Sequence, residues 1–200
     1  MLYFNIMKFL TIILTLSLLL FSCKRAHEFH GHFYDAPAYD FELTSQEGKR
    51  VKLSDFLKEN KLVLLFFGYT FCPDVCPTAL TTLANTMKEL SEKERERVQV
   101  IFISVDPERD KPEVLKSYVP FFYPTFIGLT GSPEEIERTA REYKAYYRKV
   151  EGQSEGGYLV DHTATIYLIT PDKKIKLLYT ESKQDPEKMA EDIKYLLKSF

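Results

Sequence analysis

Three residues of this chain have the types and spacing to do chemistry together. Cys72 and Cys76 stand in the run Cys72-Pro73-Asp74-Val75-Cys76-Pro77, and His162 lies far downstream in Val160-Asp161-His162-Thr163. The cysteine run falls where an apolar strand pattern gives way to a helical one. Free backbone N–H groups and the helix dipole favour negative charge there. Both thiols are therefore expected to have depressed pKa values and to be available as thiolates. The i, i+4 spacing brings both sulfurs to one side of the first helical turn, provided that turn already includes Cys72. It is wider than Cys-x-x-Cys and leaves room for a metal ion, while a disulfide across the three intervening residues is also geometrically open. The plain reading, two small residues packed at a strand end, suits a single cysteine better than a pair at this junction. Redox chemistry and metal binding are the two readings that remain.

The elements that must position these residues can be followed along the chain. Tyr39 to Leu43 and Lys49 to Leu53 flank Ser45-Gln46-Glu47-Gly48 and predict a hairpin, with a short helix opening at Ser54. Leu62-Val63-Leu64-Leu65-Phe66-Phe67 is the continuous apolar run of a strand buried on both faces. Leu80, Leu83, Met87 and Leu90 then make one helical stripe from Thr78 onward, and Ser91 to Arg97 reads as a solvated loop. Val98 to Val105 is a second buried strand, Pro112 to Tyr118 a helix, and Phe126 to Leu129 a third strand. Ser132, Pro133 and Glu135 form a capping box that opens a helix running towards Tyr146. Thr165 to Ile169 and Ile175 to Tyr179, joined through Pro171-Asp172-Lys173-Lys174, form a hairpin, and a helix from Pro186 to Leu197 closes the chain. A β-α-β unit followed by β-β-α predicts an α/β, thioredoxin-like fold: a central mixed sheet flanked by helices, with an N-terminal β-hairpin extension.

Composition narrows the function. A length of 200 residues with 44% hydrophobic and 28% charged residues fits one globular domain plus a little extra chain, not a disordered or collagenous protein. With 27 Lys+Arg against 29 Asp+Glu there is no strongly basic surface, so no nucleic-acid partner is expected. Phe9 to Phe21 is an apolar run after Lys8 that ends at Ser22-Cys23-Lys24-Arg25, the pattern of a signal-peptide core. Its 13 residues fall short of the roughly 20 a bilayer span needs, although an N-terminal transmembrane anchor is the competing reading. Leu20-Phe21-Ser22-Cys23 is similar to a bacterial lipobox, which would make Cys23 the lipidated first residue of the mature chain. Met7-Lys8-Phe9 is an orthodox start for such a signal, so Met7 competes with Met1 as the first residue. The expected division is residues 1–22 signal peptide, 23–38 tether and 39–200 domain, on the exported face of the cytoplasmic membrane in a bacterial envelope. Cys72 and Cys76 are then the two thiols left for chemistry in an oxidising compartment, where thiols pair or bind metal.

His162 favours metal. Thioredoxin-class reductases carry a cis-proline ahead of the strand facing their cysteines, whereas Val160 to Ile169 contains no proline and offers an imidazole instead. Two thiolates and one imidazole suit Cu(I), and with a weak further ligand Cu(II). Structural zinc wants a fourth protein ligand, which is not evident. A lone histidine is ordinarily a satisfied loop residue; its alignment with the cis-proline position reverses that preference.

Gly68-Tyr69-Thr70-Phe71-Cys72-Pro73-Asp74-Val75-Cys76-Pro77, Ser104-Val105-Asp106-Pro107-Glu108-Arg109-Asp110, Gly128-Leu129-Thr130-Gly131 and Asp161-His162 together resemble the Sco/SenC family, from about Tyr39 to Phe200. The resemblance implies a membrane-tethered, thioredoxin-like copper protein that assists assembly of the CuA centre of cytochrome c oxidase. It implies Cys72, Cys76 and His162 as copper ligands. The implied partners are the CuA-bearing oxidase subunit and other periplasmic copper carriers. The tether differs from that of members held by a transmembrane helix.

Neighbouring residues carry lesser expectations. Asp161 is a candidate to orient His162 or attract the cation, although adjacent residues on a strand point to opposite faces. Asp74 is a candidate to receive copper or to complement the helix dipole. Arg109 is expected to pair with a local acid and is given no chemistry. His27, His30 and His32 read as a linker or as a transient copper-collecting sequence. Met87 and Met189 fall on helix core faces, which disfavours a methionine-based carrier. The leading expectation is a copper chaperone. The competing one is a thiol-disulfide oxidoreductase that keeps the CuA cysteines reduced. A peroxiredoxin-like peroxidase lacks its Arg and Thr framework here.

Overall fold

The apolar run at residues 62–68 forms β4 (Leu62–Gly68), in which every residue is buried. A strand can bury both faces only if helices cover both sides of its sheet. The computed structural model, which describes residues 27–151 and 157–200, has that architecture. Before β4 come β1 (His32–Pro37), β2 (Glu42–Ser45), β3 (Arg50–Lys52), α1 (Leu53–Phe56) and a 3-10 turn at Lys58–Asn60. After it come α2 (Val75–Lys88), α3 (Glu92–Arg95), β5 (Val98–Ser104), α4 (Pro112–Phe122), β6 (Ile127–Thr130) and α5 (Pro133–Glu142). The chain ends with β7 (Tyr147–Glu151), β8 (Tyr158–His162), β9 (Ile166–Thr170), β10 (Lys174–Tyr179) and α6 (Pro186–Leu197).

Eight strands form one mixed sheet in the order β1-β10-β9-β4-β5-β6-β2-β3. β4 and β5 run parallel in register from Leu62 opposite Val98 to Gly68 opposite Ser104, and β9 is antiparallel to β4 with Ile166 opposite Phe66. The C-terminal ends of β4 and β5 and the N-terminal end of β9 therefore meet at one end of the sheet. Leu80, Leu83 and Met87 of α2 and Met189, Ile193 and Leu196 of α6 are buried, as their spacing requires. The capping box of Ser132 and Glu135 opens α5, with Pro133 just inside it.

Four sequence expectations need correction. The α2 helix starts at Val75, a turn earlier than the apolar stripe indicated, and Ser91 to Arg97 contains α3, opened by a capping box of Ser91 and Glu94. Residues after Tyr146 build a separate two-stranded sheet, with Tyr147 opposite His162 and Glu151 opposite Tyr158. Finally, the segment read as a free tether is docked on the domain from His27 onward. β1 pairs with β10, with a register shift between Phe33 and Ala36 where Asp35 takes the left-handed φ of 50°. Asp35 also pairs with Lys176 at 2.8 Å and Lys174 at 3.7 Å. β1 occupies one edge of the large sheet, and β3, which carries Arg50 and Lys52, occupies the other.

What holds the N-terminal segment is Asp192, a fully buried carboxylate of α6. It accepts from the backbone N–H of His30 at 3.1 Å and of Gly31 at 3.0 Å, and from the Tyr179 hydroxyl at 3.0 Å. His27 lies 3.4 Å from the same carboxylate and stacks on Tyr195 with ring centroids 4.0 Å apart, while His30 reaches Glu191 at 2.8 Å. His32 is exposed on β1. The imidazoles of His27 and His30 are thus taken up by contacts with Asp192, Tyr195 and Glu191, and the three are not gathered together. Replacing all three by Ala is expected to leave copper uptake at limiting metal unchanged, as measured by chelator competition. Cys23 and the proposed signal lie outside the described residues, within which no helix is long and apolar enough to cross a membrane.

Candidate metal centre

β4 delivers the chain to the site at Gly68, where no side chain fits. A Cβ there would meet Cys76 Sγ at 2.7 Å and Phe102 Cε2 at 2.8 Å. Tyr69 is buried beneath the following loop, and Thr70 is tied down by Asp110. The Asp110 carboxylate is fully buried and accepts from Thr70 N–H at 3.0 Å, from the Thr70 hydroxyl and from Ser104 Oγ at 2.6 Å. It joins the ends of β4 and β5. Burial pushes its pKa up, and the hydrogen bonds from Ser104 and Thr70 oppose that rise.

Cys72 lies in the turn before α2, not in its first turn, and Cys76 sits one residue inside the helix. The Cys76 N–H lies 3.4 Å from Cys72 Sγ, so the helix start donates to the first sulfur. The two thiols differ in charge, contrary to the expectation that both would be thiolates. A hydrogen bond from Cys76, helped by the nearby His162 and by the Asp74 and Cys76 amides, outweighs burial and lowers the Cys72 pKa to about 4. Burial pushes the Cys76 thiol far up, and the neighbouring Cys72 adds to the rise. One proton thus serves two sulfurs, and the more deeply buried Cys76 keeps it.

His162 ends β8, four residues before β9 begins. Its Nδ1 lies 3.1 Å from the carbonyl of Thr163, which can only accept, so this contact places the ring proton on Nδ1. The Nε2 lone pair is then turned towards Cys76 Sγ, 3.2 Å away. Phe66 and Tyr69 meet the imidazole edge-to-face, with centroids 6.0 and 5.8 Å from it. The two sulfurs and a ring nitrogen of His162 all lie within 4.8 Å of one another. Among the described residues, this is the one group of three or more Cys, His, Asp or Glu donors close enough to share an ion. Two sulfurs and one imidazole form a soft, mostly buried donor set, which fits Cu(I).

The flanking acids do not turn to the site. Asp161 is exposed and pairs with Arg148 at 3.2 Å, so the group that orients the imidazole is the Thr163 carbonyl. Strand alternation sends neighbouring side chains to opposite faces, which is why Asp161 fails in that role. Asp74 precedes α2 with no side-chain cap, and its backbone amide is what reaches Cys72. Its exposed carboxylate lines a cleft of about 260 Å³ with Val75, Thr78, Ala164 and Gln184.

With this geometry in place, the profile of the family described as SCO1/SenC matches residues 32–198. The chain belongs to the SCO1/SenC family. Its thioredoxin-like fold agrees with this. The mitochondrial protein SCO1 homolog 1 of Arabidopsis thaliana is 43% identical over 139 residues, or 70% of this chain; the chain spans 41% of that relative's length. The crystal structure of Arabidopsis thaliana ScoI with copper bound superposes with a TM-score of 0.74 at 38% identity, covering 82% of this chain and all of the other (100%). A SCO1/SenC family lipoprotein from Bacillus anthracis superposes with a TM-score of 0.66 at 29% identity, covering 80% and 95% of the two chains.

Proposed function

We propose that the protein is a copper chaperone that holds the ion, as Cu(I) or Cu(II), through Cys72, Cys76 and His162 and passes it on towards the CuA centre of cytochrome c oxidase. The observation that carries this reading is the convergence of the three donor atoms within 4.8 Å. A relative solved with copper bound supports the choice of metal. Copper is cargo in this scheme. The sulfurs supply soft ligands, and the imidazole adds a third that can be exchanged as an acceptor's ligands arrive. The acceptor is the CuA-bearing oxidase subunit, and other periplasmic carriers supply the ion. Placement at the bacterial envelope is supported by the lipobox-like run before Cys23 and by the Bacillus lipoprotein relative, with Cys23 as the lipid anchor and an N-terminal transmembrane anchor as the competing mode.

Copper titration of His162→Ala tests the ligand set. Cu(I) affinity is expected to fall by at least the roughly 10–100-fold that loss of an outer partner of a metal ligand costs, with the dithiol still able to cycle with its disulfide. Unchanged affinity would contradict the assignment.

The unequal thiols favour a second reading, a thiol-disulfide oxidoreductase acting on the CuA cysteines. The Cys72 thiolate attacks a partner disulfide and expels one partner thiolate. Cys76, on losing its proton, then attacks Cys72 Sγ and expels the second. Two electrons pass to the partner, and Cys72–Cys76 becomes the disulfide. Rescue of a Cys72→Ser oxidase-assembly defect by added copper supports delivery, and failure of copper to rescue supports reduction.

A further inference from the structure

Arg109 is not among the candidate ligands, yet it touches each segment that presents them. Its guanidinium carbon lies 3.7 Å from the ring centre of Tyr158, at the start of β8. It lies 4.8 and 5.8 Å from the ring centres of Phe71 and Tyr69, which precede Cys72. Nε donates to Asp106 Oδ2, and Nη1 donates to the Tyr158 carbonyl at 3.0 Å. The Tyr158 hydroxyl closes the circuit by donating to Asp106 Oδ1 at 2.7 Å. The Asp106 side chain is fully buried, and that of Arg109 is 15% exposed.

These contacts matter because, among the described residues, the β7–β8 sheet shares no hydrogen-bond ladder with the large sheet. The short link through residues 163–165 to β9 and the side-chain contacts of the hairpin therefore set where its end, His162, lies relative to the cysteines. Tyr158 and His162 are four apart on one strand and lie on the same face, so a slide or tilt at Tyr158 is carried along the strand to the imidazole. A ligand constellation works only when held to within about 0.5 Å. We propose that Arg109, acting with Asp106 and Tyr158, is a positioning residue that fixes the β7–β8 hairpin against the cysteine loop and so places His162 in the copper ligand set. The proposal rests on His162 being a ligand. Lysine cannot replace the arginine. It supplies charge, but it has no planar group to stack on Tyr158 while donating in-plane to a carboxylate and a carbonyl.

The test uses the full-length chain loaded with Cu(II) or titrated with Cu(I), comparing Arg109→Lys, Tyr158→Phe, His162→Ala and the Arg109→Lys/His162→Ala double variant. Arg109→Lys is expected to keep thiolate-to-copper charge-transfer absorption and to lose the imidazole nitrogen coupling in pulsed EPR. Its Cu(I) affinity should fall about tenfold, the scale of outer-partner effects. Tyr158→Phe removes one hydroxyl and leaves the stacked ring, so it should show the same change to a lesser degree; it decides the matter if Arg109→Lys does not fold. Arg109→Lys should cost nothing further once His162 is Ala, because the two act through one ligand. Wild-type nitrogen coupling in folded Arg109→Lys, or additive losses in the double variant, would overturn the positioning role. Unchanged coupling in His162→Ala would overturn the ligand reading, and the proposal with it.

Discussion

Replacing Cys76 by Ala is expected to remove tight Cu(I) binding and, in the metal-free protein, to return Cys72 towards an ordinary thiol. The first effect follows from losing one of the two proposed thiolate ligands, a larger change than the ~100-fold upper range for outer partners. The second follows because the Cys76 hydrogen bond is the largest influence holding the Cys72 pKa near 4. A depressed thiol is ionised above its pKa. Alkylation of Cys72 in the native dithiol should therefore stay flat from about pH 6 to 8 and fall only as the pH drops through about 4. In Cys76→Ala the midpoint should move up towards the ordinary value of about 8.5. The shape of the profile is the diagnostic, since a less basic thiolate is also a weaker nucleophile and absolute rates partly compensate. A native profile that rises through pH 8 would sink the account of one shared proton.

Asp192→Ala should produce the largest loss of stability. It leaves the buried Tyr179 hydroxyl and the Gly31 N–H without an acceptor and frees His30 and His27. At about 1–3 kcal/mol for each buried donor left unsatisfied, the loss is of order 3–5 kcal/mol. For a domain of this size that is a fall in Tm of roughly 10 °C, at ~2–4 °C per kcal/mol. Proteolysis should accelerate first near residues 27–31, because their attachment depends on this carboxylate. A Tm within about 2 °C of the parent would show that β1 pairing holds the segment without it.

The sequence was most legible where burial is complete. β4 and β5 are buried along nearly their whole length, so their apolar runs announced them, and the Ser132–Glu135 capping box marked the start of α5. The cysteine pair was legible as a site because its strand-to-helix junction is set by that same strand. β1 was not. His32–Pro37 is an edge strand almost wholly exposed, held by ladder bonds to β10 and preceded by His30, whose N–H is anchored on a carboxylate 162 residues away, and neither leaves an apolar period. The β7–β8 hairpin was missed because Tyr147–Glu151 and Tyr158–His162 bury little, and Val160 alone among them is fully buried. That omission hid how His162 is carried. The inequality of the thiols was also out of reach, since position at a helix start treats them alike, and what separates them is the burial of Cys76 and the hydrogen bonds that converge on Cys72. Arg109 looked like one more local ion pair because its aromatic partners come from two distant segments.

An open sheet of eight strands ends in two rows of backbone groups that another copy could extend, a hazard that grows when chains are concentrated along a membrane. Both ends of this sheet resist it. At one, the left-handed kink of Asp35 interrupts the regular donor row and sets a carboxylate between Lys174 and Lys176. At the other, β3 is three residues long and flanks its single Val51 with Arg50 and Lys52. The docked N-terminal segment thus does more than lead towards the proposed anchor: it closes the longer rim of the sheet against chain-to-chain strand exchange.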